Sequence, residues 1–224
     1  SIQVNMKKES QVIFDKNVIE FVTVAAEFCV FLEQAGEMKR KKFVDTSLKI
    51  LPLLYLKASM LPKCETIGEE TPETYVTEDT YEIIRLNIAD IMAEKDDYLE
   101  VFLPDMAYSD QPIKKNISED LADIYQDIRD FIFVFQLGLN ETMNDSLAIC
   151  QENFGMLWGQ KLVNTLRALH DVKYNQEPDE EDEIEESGED YEPDNEGCNC
   201  ENDDCHCEDN CDCHDHNCHC HDDK

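Results

Sequence analysis

Phe14, Val18, Phe21, Ala25, Phe28, Leu32 and Ala35 recur at steps of four and three, which places them on one stripe of a helix over about 12–35, with Gly36 as its stop. A second helix is predicted over about 38–60, with Phe43, Leu48, Leu51, Leu54, Tyr55 and Leu61 in or beside its apolar face. Pro52 should kink it, because that residue has no N–H to give and its ring crowds the preceding turn; Pro62 ends it. From Pro62 to Thr77 the mixture of Gly, Pro, Thr and Glu has no helical period, and a loop of about 15 residues is a candidate functional or mobile element.

Thr77, followed by Glu78 and Asp79, forms a cap and an acidic first turn for a third helix over about 78–102, with Tyr81, Ile84, Ile88, Ile91 and Met92 on one face. A second loop runs from Pro104 to Asn116. Ser118, followed by Glu119 and Asp120, opens a fourth helix, in which Leu121, Ile124, Ile128, Phe131 and Phe135 repeat the spacing until Gly138. The fifth is predicted over about 141–172, through Leu147, Cys150, Phe154, Leu157, Trp158, Leu162, Leu166 and Leu169, with Gly155 and Gly159 bending or thinning it. No run alternates with a period of two, so no strands are expected. The fold class is all-α: a compact antiparallel bundle of about five helices over 12–175, after a flexible segment 1–11.

Past Asn175 the pattern disappears. Residues 176–197 are acidic with two Pro, a self-repelling spacer expected to be disordered, and 198–224 are built from Cys, His, Asp and Asn. The charge is divided unequally. The chain of 224 residues has a net charge of −33, and residues 177–224 hold 22 acids against the single base Lys224. Phosphate contacts need a basic surface, so nucleic acid is excluded as a partner, and anionic membranes are disfavoured for the same reason. The dense basic run Lys39–Lys42 reads as an exposed helix start. The apolar stretch Val18 to Leu32 is interrupted by Glu20 and Glu27 and resembles neither signal peptide nor membrane span, so the expected location is the cytoplasm. Sequons at Asn116, Asn140 and Asn144 are then chance matches.

Two stretches, NISEDLADIYQDIRDFIFVFQLG and CQENFGMLWGQKLVNTLRALHDV, resemble a bacterial family of unknown function, the one numbered 5063. The likeness covers about 12–172 and is most specific at Asp120–Phe131 and from Trp158 to His170. It implies an all-helical fold and brings no activity with it.

The tail carries the readable chemistry. Its ligand candidates are Cys198, Cys200, Cys205, His206, Cys207, Cys211, Cys213, His214, His216, Cys218, His219, Cys220 and His221. The eight thiols form four Cys-x-Cys pairs, able to chelate one ion or bridge two, and in a reducing compartment such a tract points to metal before disulfide. Thirteen donors at four per tetrahedral ion allow about three zinc ions. The tail resembles metallothioneins in pair spacing and poverty of apolar residues, but its His and Asp fit zinc or nickel better than a copper(I) thiolate cluster. No organic cofactor is indicated. The expected function is that of an accessory protein storing, delivering or sensing transition metal ions, with another protein as a candidate partner of the helical part.

Within 12–175 the chemistry is sparser. Cys29 and Cys150 fall on or near apolar faces, where a thiol packs as a small hydrophobe, and Cys64 lies in a loop. His170 stands alone, without the Glu-x-x-His pattern of a di-iron bundle, and reads as a helix C-terminal surface group. Asp120, Asp123, Asp127 and Asp130 line one side of the fourth helix; with Asp90, Glu94 and Asp97 opposite they would make a Mg²⁺ or Mn²⁺ hydrolase site. The expectation is instead a solvated face beside the apolar stripe. A third alternative is an adaptor with an inert acidic tail. Trp158 with Gly155 and Gly159 reads as a close helix contact before a ligand pocket.

Overall fold

A computed structural model describes residues 12–100 and 113–177. The described residues form α1 (Lys16–Glu33), α2 (Arg40–Ser59), α3 (Glu78–Met92), β1 (Asp97–Leu99), β2 (Lys114–Asn116), α4 (Ile117–Gln136), α5 (Asn140–Asn153) and α6 (Gly159–Tyr174). Helix α4 is the hub, packing against α1, α3, α5 and α6, while α2 lies between α1 and α6. The reason is compositional: Ile117, Leu121, Ile124, Tyr125, Ile128, Phe131 and Ile132 bury more than one face of a single helix. Among the described residues no helix is long and apolar enough to cross a membrane.

The first helix starts later than its stripe, because Asp15 accepts from Asn17 N–H at 2.8 Å and caps it. Phe14, expected in the core, is 62% exposed, and Ile13 is buried instead. Helix α2 continues across Pro52, which is itself exposed. Tyr55, expected in or beside the apolar face, lies beside it, partly exposed, with its ring edge against Phe154.

The third helix ends ten residues before the expected 102. Ala93 breaks it with φ 47, a left-handed conformation in a residue that gives no sequence warning of it, and a 3₁₀ turn Ala93–Lys95 follows. The expectation of no strands is also corrected: β1 and β2 pair antiparallel, Tyr98 opposite Lys115. Three residues per strand are too few to show alternation. The turn positions Asp96, whose carboxylate accepts from Ser118 N–H at 2.7 Å and Ser118 Oγ–H at 2.6 Å, so α4 is capped from a distance rather than by Ser118 itself. Gly138, at φ 76, closes α4 in the left-handed conformation open to glycine. The fifth predicted helix is two, α5 and α6, joined through one π turn, Phe154–Trp158.

Candidate functional site

The four aspartates of α4 do not form a solvated face. Asp120 is 4% exposed, and each carboxylate meets a different element. Asp120 accepts from the Tyr98 hydroxyl of β1. Asp123 accepts from the Tyr81 hydroxyl of α3 at 2.7 Å and pairs with Lys161 of α6. Asp127 accepts from Asn153 Nδ2 of α5 at 2.7 Å. Asp130 Oδ1 accepts the backbone N–H groups of Tyr75 and Val76 at 2.6 and 2.7 Å. The row is a polar seam that ties α4 to its surroundings, and its members differ in charge compensation. Burial raises the pKa of Asp120 against the Tyr98 bond. Burial likewise raises that of Asp127, with Asp130 and Asp123 adding repulsion that Asn153 and Lys161 offset only in part.

That difference predicts opposite signs. Asp123→Asn, losing its ion pair and weakening the Tyr81 bond, should cost about 1–2 kcal/mol. Asp127→Asn can keep the Asn153 contact through its carbonyl and removes an incompletely compensated charge, so it should gain about 0.5 kcal/mol, a rise of roughly 1–2 °C in melting temperature. A raised carboxylate pKa means that the folded state holds the proton more tightly, so this term lowers stability as pH rises through the shifted range. The advantage of Asp127→Asn should therefore close on acidification, once Asp127 is itself neutral. Melting curves from neutral pH down into the acid range read both; equal shifts for the two variants throughout would refute the distinction.

The long loop after α2 is strapped down rather than free. Asn144, Asp145 and Gln151 of α5 hold its first half: Asp145 accepts from Ile67 and Gly68 N–H at 2.7 and 2.8 Å, Asn144 donates to Glu65 O at 2.8 Å, and Gln151 accepts from Cys64 N–H at 3.0 Å. Asp130 holds its second end. Between the two anchors, residues 71–74 wall a cleft of about 150 Å³ whose other side is Asp127, Asp130, Phe131 and Val134 of α4 with Ser146, Ile149, Cys150 and Asn153 of α5. This cleft, absent from the sequence reading, is the concave candidate site of the helical part.

The hydrolase arrangement is not assembled. Asp90 is exposed, Glu94 pairs with Arg40, and Asp97 pairs with Lys114 and accepts from Asn116 Nδ2. Among the described residues no three His, Cys, Asp or Glu side chains form a group that could hold a metal ion. Arg40, expected in an exposed basic start, instead donates Nε–H to Ile91 O at 2.9 Å and ties α2 to α3. Cys29 and Cys150 are buried in the core, as their helix positions imply. Burial pushes the Cys29 thiol up to about 12 and the Cys150 thiol well above its ordinary value. Cys64 Sγ donates to Asn144 Oδ1 at 3.2 Å. His170 is exposed, its ring 4.7 Å from that of Tyr174. Trp158 is buried, with Nε1–H donating to Cys150 O at 3.1 Å and its ring against Phe154, a close helix contact rather than a pocket. The tail candidates Cys198 to His221 lie outside the described residues.

A family described as "Domain of unknown function (DUF5063)" matches residues 12–175. The chain belongs to that family. A crystal structure of protein BF1032 from Bacteroides fragilis is 77% identical to this chain, covers 75% of it and 99% of its own length, and superposes with a TM-score of 0.68. No curated protein matches. The DUF5063 match includes the aspartate seam, the strapped loop and the cleft; it stops before the Cys/His tract.

Proposed function

We propose that the protein is a metal-handling accessory protein in which a DUF5063 helical domain carries a transition-metal-binding tail, with 176–197 as spacer and 198–224 as the binding segment. The observation that carries this reading is the set of four Cys-x-Cys pairs interleaved with five His within those last residues. The thiol chemistry of the domain adds support. Cys29 and Cys150 are buried with raised pKa values and do not compete for metal near neutral pH, so among the domain's three thiols only Cys64 is partly accessible. Zinc or nickel suits the mixture of thiolate, imidazole and carboxylate; copper(I) would be served by the thiolates alone.

Titrating the reduced full-length protein with zinc in competition with a chromophoric chelator should show uptake of about two or three ions, with protons released from thiols. A form ending at Asn175, whose intact melting transition is checked alongside, should bind none tightly. Equal stoichiometry in the two forms would sink the proposal. Nickel in place of zinc, under the same competition, ranks the two metals.

A further inference from the structure

The cleft behind the strapped loop combines three properties. It has a small, half-open volume, two carboxylates of α4 with spare acceptors beside Glu73 of the strap, and an apolar half. Its volume of about 150 Å³, half open to solvent, has room for a guest of about six heavy atoms. Asp127 uses Oδ1 for Asn153, and Asp130 uses Oδ1 for the strap's backbone. The second oxygen of each is without a hydrogen bond among the described residues. One helical turn apart on α4, the two side chains stand about 5–6 Å from each other at their Cβ atoms. The cation that acts on Asp127 is Lys161, and Lys161 is committed to Asp123. Phe131, Val134 and Ile149 supply the apolar wall.

An anion is excluded by the carboxylates, and among the described residues no three His, Cys, Asp or Glu side chains stand close enough together to hold a bare metal ion. A neutral apolar guest would leave the carboxylates desolvated and unpaired. A cation with several N–H donors and a short hydrocarbon body satisfies both halves of the cleft. We propose that the cleft is a binding site for a small primary ammonium compound, its nitrogen held between Asp127 and Asp130 and its carbon chain lying against Phe131, Val134 and Ile149. The strap makes entry feasible: among the described residues no hydrogen bond engages 69–74 between the anchors at Gly68 and Tyr75, so this wall can yield without breaking either anchor. The site belongs to the domain and stands apart from the tail's metal ions.

The test is a titration of the metal-free, reduced full-length protein with n-butylammonium, followed by ¹H–¹⁵N NMR at the Asn153 side-chain amide and the Thr74 and Ile149 backbone amides. Saturable shifts confined to these groups are expected, with a dissociation constant in the roughly millimolar range set by so few ligand atoms. n-Butanol, the neutral analogue, should bind at least about tenfold more weakly. Asp127→Asn, which should fold at least as stably as the wild type, should weaken butylammonium binding by a similar factor, and Ile149→Phe, which fills the apolar half, should abolish it. No saturable shift up to about 50 mM, far above that constant, would overturn the proposal. So would equal binding of alcohol and ammonium, or shifts spread over the acidic surface and unchanged in both variants.

Discussion

Asp145→Ala should lower stability by about 3 kcal/mol and release the loop that follows α2. The side chain is 3% exposed and spends both carboxylate oxygens on one task. Oδ1 accepts from Ile67 N–H and from Asn144 Nδ2, and Oδ2 accepts from Gly68 N–H. A charged acceptor on backbone donors contributes more than a neutral one, about 1.5–3 kcal/mol per bond before the released N–H groups find water. Gly68 is part of the same device, since a Cβ there would stand 2.6 Å from Asp145 Oδ2 and 2.8 Å from Glu141 Oε1. Only a bare backbone approaches the carboxylate that closely. Asp145→Asn, retaining one acceptor and losing the charge, should fall between wild type and alanine. The measurements are the urea midpoint and limited proteolysis. Cleavage should appear within 65–70, whereas the stretch at Tyr75 and Val76, held by Asp130, should stay protected. A midpoint equal to that of wild type, or no new cleavage, would mean that the loop is held by something other than these bonds.

Helix α4 explains both what the sequence disclosed and what it hid. Leu121, Ile124, Ile128 and Phe131 sit where an unbroken period of three and four puts them, and all four are buried, because such a stripe has one way to escape water. The aspartates beside them were legible as a row and misjudged as solvated. Their partners, Tyr81, Tyr98, Asn153, Lys161 and the backbone of Tyr75 and Val76, come from α3, β1, α5, α6 and the loop, and nothing local marks them. A usable signal existed in α5, where Asn144, Asp145 and Ser146 crowd a helix with a thin apolar stripe next to a long loop. Backbone groups in such a loop must be satisfied somewhere, and buried polar side chains are the available means. The end of α3 was hidden for another reason: Ala93 takes a positive φ without being Gly or Asn, so no residue there signals the stop short of 102. Cys29 and Cys150 were read correctly because a thiol on a periodic face has few other fates.

Gly159→Ala should be the most damaging single methyl added to the domain, and Gly155→Ala, four residues earlier, close to harmless. Both glycines belong to the π turn and its junction with α6, and both were equally plausible as bending points in the sequence. A Cβ at Gly159 would fall 2.3 Å from Phe154 O and 2.9 Å from Phe154 Cδ2. The first of these is backbone, which cannot rotate away. The wide turn would have to open further or revert to a regular helix, and reverting shifts the register of everything after it. Trp158, buried and bonded to Cys150 O, and Leu162 and Leu169, both at 0% exposure, would then rotate off the core. A loss of about 3 kcal/mol or more follows from overpacking plus displaced aromatic surface. At Gly155 a Cβ would meet nothing within 4 Å, so alanine adds only helix propensity, a gain of about 0.5–1 kcal/mol. Thermal denaturation of the two variants, with Trp158 fluorescence as a local probe, decides the matter. A mild Gly159→Ala with unshifted fluorescence would show that the π turn is not what sets the register of α6.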